Sequence, residues 1–398
     1  MKILFLTYDL PYPLVTGGKI RAYHLLKALA KDHQVTLFSY YRKEEQKKYL
    51  PELKKHCSSI QLFPRRQPWS LENLFFALTH FWLPFVVATY YSADFQKALL
   101  QKIKAFNYDL VHFESFYPAL WLPLVKKCGL PVVMGNENLE YLIYQRFSQK
   151  KPFFIRWLLN FEVRRMKLFE EKLWQQADIN LAVSQTDAVQ IKKITGQDCV
   201  IIPNGVKITG SIGPKIPVNR ESLLFIGTLL YQANNETMKY FLSQIYPLIK
   251  QQNPPVKFIL VSGFRPEWLK KHLADPSINF IQDNNSPPAK FFAQADVLVV
   301  PMCVGSGSRI KILEAMAAGL PVVTTSIGIE GIEAIPGKEV IVADDPKEFA
   351  QKVNQLLKNP SRRQLLVSAA QKMVQEKYDW NKIGEKLNQA YQDFYAKV

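Results

Sequence analysis

Residues 305–314 combine backbone and side chains that could bind a phosphorylated ligand. The sequence there is G-S-G-S-R-I-K-I-L-E, so a glycine- and serine-rich loop precedes two cations and a carboxylate. These residues are Gly305, Ser306, Gly307, Ser308, Arg309, Lys311 and Glu314. Loop amides and cations at the start of a helix favour anions, because the helix N-terminus carries a partial positive charge. We therefore expect an anion-binding loop followed by a helix that Ser308 caps.

The predicted helix ends near Gly319 and Pro321, which are typical of a helix C-terminus. Two stripes of apolar side chains should make it mostly buried. These positions are Ile310, Ile312, Leu313, Met316 and Ala317. Lys311 and Glu314, three residues apart, form its polar stripe, and burying such a pair costs several kcal/mol unless partners are supplied. A surface ion pair of little energetic value is the alternative.

A second glycine pair, Gly17-Gly18, follows the apolar run Lys2–Thr7 and opens a helical pattern. Such a pair lets backbone amides approach an anion, although an ordinary strand-to-helix turn would look the same. The sequence contains neither G-x-G-x-x-G nor G-x-x-x-x-G-K-[ST]. The sequence therefore lacks the motifs that are typical of dinucleotide-dependent redox enzymes and of P-loop phosphotransferases.

Short apolar runs alternate with amphipathic stretches along the 398 residues. In the first half the runs are Lys2–Thr7, Val35–Ser39, Asp109–Phe113, Pro131–Met134, Ile179–Val183 and Val200–Ile202. In the second half they are Leu223–Gly227, Val256–Val261, Ile278–Ile281, Val297–Pro301, Pro321–Thr324 and Val340–Val342. This alternation predicts an α/β protein with two parallel, doubly wound sheets, each wrapped by helices.

A stretch rich in Gly and Pro separates the two series and predicts a linker. We expect an N-terminal domain over residues 1–207, a linker over 208–220 and a C-terminal domain over 221–375. A final helix over 376–398 is expected to pack back toward the N-terminal domain. Two facing domains of this kind would place their ligand-binding loops around one cleft.

The chain carries 51 Lys and Arg against 34 Asp and Glu, a net charge of +17 that favours nucleic acid, an anionic membrane or an acidic substrate. Nucleic acid is not expected, since the basic residues are dispersed and no nucleic-acid-binding module is visible. The four cysteines are far apart without a C-x-x-C pair, which disfavours a zinc ribbon or a disulfide framework. A cytoplasmic location fits this cysteine usage best.

The stretch 74–91 is the most membrane-like part of the sequence. Its apolar run is shorter than the roughly 20 residues of a spanning helix, and it contains His80 and Pro84. A buried helix-turn-helix is the favoured interpretation. A helical hairpin that dips into a membrane interface stays open, because Arg65 and Arg66 precede aromatic residues.

The segment Gly305–Pro321 resembles the donor-site motif of family 4 glycosyltransferases, in the subgroup with the form G-S-G-[ST]-R-x-K-x-L-E. Gly17-Gly18 resembles the family's N-terminal glycine loop, and Val183-Ser184 resembles its serine after the last N-domain strand. The P-N-G-V hinge signature matches Pro203–Val206, and Leu224–Gly227 matches the first C-domain strand. The resemblance implies the GT-B fold, in which two facing Rossmann-like domains enclose a cleft.

The resemblance also implies transfer with retention from a nucleoside diphosphate sugar, without a metal or other cofactor. The absence of a D-x-D pair agrees with that. Glu314 matches the second glutamate of the family's E-x7-E motif, which binds the donor ribose, whereas Ser306 stands where the first glutamate would be. The basic residues that normally follow the first C-domain strand are missing after Gly227-Thr228, and Arg309 and Lys311 are expected to replace them.

The candidate donor-binding residues are therefore Gly17, Gly18, Gly227, Thr228, Ile281, Gly305, Ser306, Gly307, Ser308, Arg309, Lys311 and Glu314. Ile281 lies in a segment that resembles the loop whose backbone contacts the base, so UDP, GDP and ADP all stay open as donor nucleotides. The expected mechanism is same-face attack in which the leaving phosphate accepts the acceptor proton.

On the acceptor side, Asp109–Glu114 resembles the family's D-x-x-H-x-H strand end, with Glu114 at the second histidine. Asn136–Glu140 resembles its E-H-N-x-E loop, with Glu137 at the histidine. The candidate acceptor-binding residues are His112, Glu114, Glu137, Asn138 and Glu140. The candidate catalytic residues are Arg309, Lys311, Glu314 and Glu114. A core position for His112 is the alternative.

These observations predict a retaining glycosyltransferase that acts on a glycan or lipid-linked acceptor in cell-surface polysaccharide or glycolipid biosynthesis. Its basic charge and the stretch 74–91 are compatible with peripheral contact with an anionic membrane. One alternative is a degenerate GT-B protein that binds a glycan or a membrane without catalysis. Another is a GT-B phosphatase, phosphorylase or epimerase.

Overall fold

The computed structural model describes residues 1–149, 151–208, 220–283, 286–304 and 309–396. The chain divides into two compact units, one formed by Met1–Pro203 with Trp380–Val398 and the other by Asn204–Asp379. Each unit is a parallel sheet covered by helices, which confirms the predicted pair of Rossmann-like α/β domains. The chain leaves the first unit after Pro203 and returns to it at Trp380.

The first unit is built on a parallel sheet of order β3-β2-β1-β4-β5-β6-β7. Its strands are β1 (Lys2–Thr7), β2 (Gln34–Tyr41), β3 (Ser59–Pro64), β4 (Leu110–Glu114), β5 (Val132–Asn136), β6 (Ile179–Ala182) and β7 (Val200–Ile201). Its helices are α1 (Gly17–Leu29), α2 (Leu50–Leu53), α3 (Leu71–Thr79), α4 (Phe85–Ala88), α5 (Ala93–Ala105), α6 (Leu122–Lys127), α7 (Glu140–Gln149), α8 (Phe153–Gln176) and α9 (Gln185–Thr195).

The second unit has a parallel sheet of order β10-β9-β8-β11-β12-β13. Its strands are β8 (Ser222–Ile226), β9 (Lys257–Ser262), β10 (Ile278–Gln282), β11 (Val297–Val300), β12 (Val322–Thr324) and β13 (Ile341–Val342). Its helices are α10 (Gln232–Tyr240), α11 (Tyr246–Gln252), α12 (Ala289–Phe292), α13 (Ile310–Ala317), α14 (Ser326–Ile329), α15 (Pro346–Lys358) and α16 (Pro360–Lys377). The final helix, α17 (Trp380–Tyr395), belongs to the first unit.

The predicted strands lie within two residues of the observed ones, because the central positions of most of them are apolar and buried on both faces of a parallel sheet. Strand β3 (Ser59–Pro64) was not predicted. It is an edge strand that pairs only with β2 in the described sheet, and most of its side chains are half-exposed. A half-exposed edge strand lacks the continuous apolar run that marked the other strands.

Both sheets have a point where the connections change direction. In the first unit β1 lies between β2 and β4, and in the second unit β8 lies between β9 and β11. Loops that leave the carboxyl ends of two such neighbouring strands turn to opposite faces and open a crevice, where doubly wound domains bind ligands. We therefore expect functional residues at two crevices. One lies between the carboxyl ends of β8 and β11, and the other lies between the carboxyl ends of β1 and β4.

Helix α17 packs against α1 within the first unit. Gly384 approaches Ala28 so closely that a β-carbon at position 384 would lie 2.6 Å from that of Ala28. At the start of the helix the Trp380 ring stacks on His24, with centroids 4.7 Å apart. Of the predicted linker 208–220, only Ile208 and Arg220 are among the described residues.

The membrane-like stretch is broken at Pro84 as predicted, with α3 ending at Thr79 and α4 beginning at Phe85. The expectation that it is buried is correct for Leu83 and Val87 but wrong for much of α3, where Phe76 and Ala77 pack against the core while Leu71, Phe75 and Leu78 face solvent. No helix in the described ranges is long and apolar enough to cross a membrane.

Candidate active site

The ammonium group of Lys311 lies at the loop that follows β8, although Lys311 itself is on α13. Its Nζ is 3.1 Å from Asn234 Oδ1 and 4.3 Å from the centroid of the Phe225 ring. A β-carbon at Gly227 would be 2.7 Å from the same Nζ, so glycine is what allows the cation to sit there. Lys311 thus joins the ends of β8 and β11, the direction change of the second sheet.

Asn234, in the first turn of α10, connects the loop after β8 to Lys311. Its Nδ2 donates to the carbonyl of Thr228 over 2.9 Å while its Oδ1 accepts from Lys311. The Thr228 hydroxyl accepts from the amide of Leu230 at 3.3 Å. The loop after β8 is therefore shaped by side-chain contacts, and two of the predicted donor-binding residues, Gly227 and Thr228, belong to it.

Burial and neighbouring charges bring the pKa values of Lys311 and Glu314 close to neutral pH. Burial and the Arg309 cation lower the pKa of Lys311 to about 7, against the attraction of Glu314. Burial raises the pKa of Glu314 to about 7, and Lys311 opposes that rise. Both groups lie on α13, whose other side chains Ile312 and Leu313 are buried as predicted. An anion at this position would favour the charged form of Lys311.

Helix α13 begins at Ile310 with Arg309 as its N-cap, and the predicted cap Ser308 lies outside the described residues. The helix ends at Ala317, and Gly319 adopts a left-handed conformation with φ of 78°, as expected of a helix C-terminus. Four predicted donor-binding residues lie outside the described residues. These are Gly305, Ser306, Gly307 and Ser308.

Ile281 lies near the end of β10, at the far side of the second sheet from β11. Strand β9 separates β10 from β8, which places the two strand ends about 10 Å apart at the usual strand spacing. Ile281 is partly buried against the apolar core of this unit. Its backbone is thus at the same edge of the sheet as Gly227, set apart from Lys311 by two strand spacings.

In the first unit, His112 and Glu114 come together inside the protein. His112 Nε2 lies 2.7 Å from Glu114 Oε2, and both side chains are shielded from solvent. Since an ionised carboxylate only accepts hydrogen bonds, Nε2 donates, and Nδ1 of a neutral ring then accepts from the hydroxyl of Tyr391 on α17. The Phe5 ring stacks on His112 at 4.5 Å between centroids.

The other carboxylate oxygen of Glu114 accepts from Arg21 Nε at 2.7 Å. Burial opposes ionisation of Glu114, but Arg21 and His112 outweigh it and hold its pKa below the usual range. Arg21 also donates to the carbonyls of Ile202 and Pro203, at 2.7 and 3.2 Å. With both oxygens engaged and no exposed surface, Glu114 is placed to hold the fold together, and the geometry favours the core position for His112.

Glu137 and Glu140 form a second buried acidic group beside the start of α1. Burial and the neighbouring carboxylates raise the pKa of Glu137 to about 8, and burial raises that of Glu140 to about 7. Glu140 Oε2 accepts from the hydroxyl of Tyr117 at 2.9 Å. A β-carbon at Gly18 would lie 2.5 Å from Glu137 Oε2, so this glycine gives the carboxyl its room.

The predicted acceptor loop is fixed from outside by Glu170 on α8. Its two carboxylate oxygens accept from the backbone amides of Glu140 and Tyr141, at 3.0 and 3.1 Å, where α7 begins. Asn138 is half-exposed in this loop, between the buried Glu137 and Leu139. The structure therefore brings Glu137, Asn138 and Gly18 to one place, with Gly17 as the first residue of α1.

Sequence reasoning missed Asn234, Glu170 and Tyr391, and it gave Arg21 no partner. Asn234 is one of two consecutive asparagines in a polar helix and carries no sequence signal. Tyr391 is 279 residues from His112, and Glu170 is 30 residues from Glu140. Arg21 could have been noticed because a cation one turn into the helix after Gly17-Gly18 should be close to the neighbouring strand end.

Two family models match the chain, one in each half. A model described as Glycosyltransferase Family 4 matches residues 15–209, and one described as Glycosyl transferases group 1 matches residues 220–359. The two models thus cover most of both units, including Gly17-Gly18, Glu114 and Glu137 in the first and Gly227 and Lys311 in the second.

Curated proteins also match. Over 393 residues the chain is 24% identical to an uncharacterized 44.6 kDa protein in the cps region of Klebsiella pneumoniae, a match that covers 96% of this chain and 97% of that protein. It is 27% identical over 229 residues to the phosphatidyl-myo-inositol mannosyltransferase of Mycobacterium leprae, covering 55% of this chain and 60% of that enzyme.

Solved structures share the fold over the whole chain. Sucrose-phosphate synthase of Thermosynechococcus elongatus superposes with a TM-score of 0.74 at 18% identity, covering 100% of both chains. The Anabaena HepE protein in complex with UDP and glucose superposes with a TM-score of 0.68 at 17% identity, covering 99% of this chain and 100% of that one.

Proposed function

The chain belongs to glycosyltransferase family 4, and from that premise we propose that it transfers a sugar, with retention, from a nucleoside diphosphate sugar to a glycan or lipid-linked acceptor. It is a glycosyltransferase of the GT-B type. The donor, the stereochemistry and the acceptor are the proposal. We assign donor binding to the loops at the end of β8 and the start of α13, and acceptor binding to the loop at Glu137.

The observation that carries the donor proposal is the place of the Lys311 ammonium. The loop after β8 has no basic residue of its own, yet Lys311 reaches it from α13 and lies beside Gly227. A diphosphate at this strand end would meet a cation held by Asn234 and the N-terminal end of α13. Arg309, the N-cap of that helix, would add a second cation.

The two cations and the N-terminal end of α13 would stabilise the negative charge that develops when the nucleoside diphosphate leaves. As the anomeric carbon gains oxocarbenium character, negative charge accumulates on the leaving phosphate, and the two cations stabilise it. The phosphate oxygen then accepts the proton of the acceptor hydroxyl, which attacks from the same face. Glu314, one turn along α13, is assigned to the ribose hydroxyls, and its ionised form accepts their hydrogen bonds through both carboxylate oxygens.

Two proteins that are similar to this chain indicate which substrates to test first. The HepE protein binds UDP and glucose, so a uridine nucleotide is the first donor for this chain, with the base near Ile281. The mannosyltransferase of Mycobacterium leprae is named for a phosphatidyl-inositol acceptor, which supports a lipid-linked acceptor here. We assign the reaction to the cytoplasmic side of the membrane, where the four free cysteines would stay reduced.

Donor turnover with defined products tests this proposal. The full-length protein is incubated with UDP-, GDP- and ADP-sugars and with glycan or lipid-linked acceptors, in buffer with and without EDTA. We expect one nucleotide sugar to yield free nucleoside diphosphate and a glycosylated product with the donor's anomeric configuration, unaffected by EDTA. An inverted product, or activity that EDTA abolishes, would contradict the retaining, metal-independent mechanism.

A protein that only binds would behave differently in the same assay. Sugar-nucleotide binding without turnover for any acceptor would support the degenerate alternative. Release of sugar or inorganic phosphate without an acceptor, or dependence on added phosphate, would support a phosphatase, epimerase or phosphorylase. Each outcome is read from the same product mixture by mass spectrometry and anomeric proton NMR.

A further inference from the structure

Helix α3 turns its apolar stripe outward. Leu71, Leu74, Phe75 and Leu78 follow the i, i+3, i+4, i+7 spacing that normally faces a protein core, yet all are exposed, and Leu78 retains 77% of its accessible surface. The opposite face of the helix, with Asn73, is the buried one. That face also carries Phe76 and Ala77, which pack against the core of the first unit, so the helix is already docked and its outward apolar stripe is left for another partner.

The start of helix α8 is exposed in the same way. Its first turns carry large apolar side chains that contact water. These are Phe153, Phe154, Ile155, Trp157, Leu158 and Phe161. Trp157 keeps 70% of its surface accessible. Exposing so many aromatic side chains on consecutive turns is costly for a protein that stays in water, because burying each of them would be favourable.

The two segments form one surface. Arg165 on α8 donates to the carbonyls of Phe81 and Leu83, in the turn between α3 and α4. Glu162 accepts from the amide of Phe85, at the start of α4. The same turn exposes Phe81 and Trp82 beside these contacts. We call residues 69–82 together with 153–161 the aromatic surface.

Charge around the aromatic surface is positive. Arg65 and Arg66 border α3, and Lys151 and Arg156 flank the start of α8. Between residues 65 and 82 the one acidic residue is Glu72, and Arg66 neutralises it with a 2.6 Å ion pair. Cations beside exposed tryptophan and phenylalanine match an anionic membrane interface, where aromatic rings enter the headgroup region and lysine or arginine contacts phosphates.

We propose that the aromatic surface docks this protein on an anionic phospholipid bilayer, with Trp69, Trp82 and Trp157 in the headgroup region. The inference deepens the proposed function, on which it rests for its purpose, because a membrane-bound enzyme would meet a lipid-linked acceptor in the plane of the bilayer. The physical basis of docking, exposed apolar area plus complementary charge, lies entirely in the first unit. Docking can therefore be tested separately from sugar transfer.

Vesicle binding of the full-length protein is the test. Co-sedimentation is measured with vesicles of phosphatidylcholine alone and with an equal mixture of phosphatidylcholine and phosphatidylglycerol. Two single variants, Leu78→Glu and Trp157→Glu, place a charge in each half of the surface. Leu365→Glu is the matched control, because Leu365 is a leucine of similar exposure, 64%, on α16 of the other unit.

We expect binding to the anionic vesicles that salt weakens, and about tenfold or greater loss of affinity in Leu78→Glu and in Trp157→Glu. Leu365→Glu should bind like the unchanged protein. Quenching of tryptophan fluorescence by brominated lipid should occur in the unchanged protein and fall in Trp157→Glu. Circular dichroism shows whether each variant is folded.

Three results would overturn the proposal: no binding to anionic vesicles, equal binding by all variants, or a lipid-independent dimer that Leu78→Glu and Trp157→Glu dissociate. The last would make the aromatic surface a contact between copies. Thermal shift with UDP-, GDP- and ADP-sugars on the same samples separates this inference from the proposed function. Vesicle binding without nucleotide binding would contradict the transferase proposal alone.

Discussion

Arg21 Nε donates to Glu114 Oε1 over 2.7 Å, and neither side chain is accessible to solvent. This ion pair connects α1 to the end of β4. The same guanidinium binds the carbonyls of Ile202 and Pro203, the last residues before the chain leaves the first unit. Glu114, one of the candidate acceptor-binding residues, therefore belongs to the buried interactions that hold the chain where it leaves the first unit.

Arg21→Ala should unfold the protein more easily. The change leaves the Glu114 carboxylate buried beside His112 without its cation, which typically costs about 3–5 kcal/mol. Urea denaturation followed by circular dichroism measures the loss. Lys192→Ala is the matched control, because the Lys192–Asp198 pair has a similar distance, 2.6 Å, but is exposed, and its removal should cost less than about 1 kcal/mol. Equal losses in the two variants would refute a framework role for Arg21.

Lys311→Met should weaken UDP-sugar binding by about tenfold to a hundredfold, the value of one or two charge-assisted hydrogen bonds. It should not destabilise the ligand-free protein, because burial already disfavours the ammonium and lowers its pKa to about 7. Isothermal titration measures the binding and a thermal melt the stability. Lys239→Met changes an exposed lysine of α10 and should leave both unaltered. A large stability loss with unchanged affinity in Lys311→Met would mean a structural lysine.

Donor affinity should decrease as pH rises above about 7. Lys311 loses its proton near that pH in the free protein, and a bound diphosphate raises its pKa, so binding above pH 7 must take up a proton. Affinity for a UDP-sugar should decline by up to about tenfold per pH unit until the bound-state pKa is reached. Lys311→Arg, which stays charged, should flatten this part of the profile. A profile that is the same in both proteins would exclude Lys311 as the titrating group.

Gly227→Ala should displace Lys311 without greatly unfolding the protein. The new β-carbon would lie 2.7 Å from the Lys311 Nζ and 2.9 Å from Asn234 Nδ2, and the flexible lysine would move first. Gly337→Ala is the control, since Gly337 also has a positive φ, 80°, but nothing lies within 4 Å of its β-carbon position. Each change should cost about 1–3 kcal/mol for the backbone, and only Gly227→Ala should reduce nucleotide affinity. Nucleotide titration compares them, and equal affinities would contradict the role assigned to this loop.

Glu137→Gln should flatten the dependence of stability on pH. Its pKa of about 8 in the folded protein lies above the value near 4.3 of an unfolded chain, so between these pH values the folded state holds a proton that the unfolded state has lost. This carboxyl's stabilisation is present in acid and decreases by about 1.4 kcal/mol per pH unit until the pH passes its folded pKa. Urea melts from pH 5 to 9 of the two proteins should diverge toward alkaline pH, with the glutamine variant more stable there. Parallel curves would show that Glu137 is ionised in the folded protein.

The fold could be predicted because its signals are local. Runs such as residues 3–6 and Val297–Val300 are apolar and buried at every position, and the helices between the strands begin and end at typical residues such as Ser92 and Gly196. Strand β3 was missed because its half-exposed side chains give no continuous pattern. The outward stripe of α3 was missed because periodicity shows that a helix has an apolar face but not what the face contacts.

The sequence by itself determined the two α/β domains and the family, since each depends on neighbours along the chain, and it predicted that residues of α13 meet a diphosphate. Only the tertiary structure decided that Lys311 lies at Gly227, that Tyr391 reaches His112 and that Arg21 neutralises Glu114. Those pairs are separated by tens to hundreds of residues, and they meet because folding packs residues of α1, α13 and α17 against the strands and strand ends of the parallel sheets. Whether a polar side chain there binds a ligand or a neighbour depends on distances of a few ångströms, which no local pattern encodes.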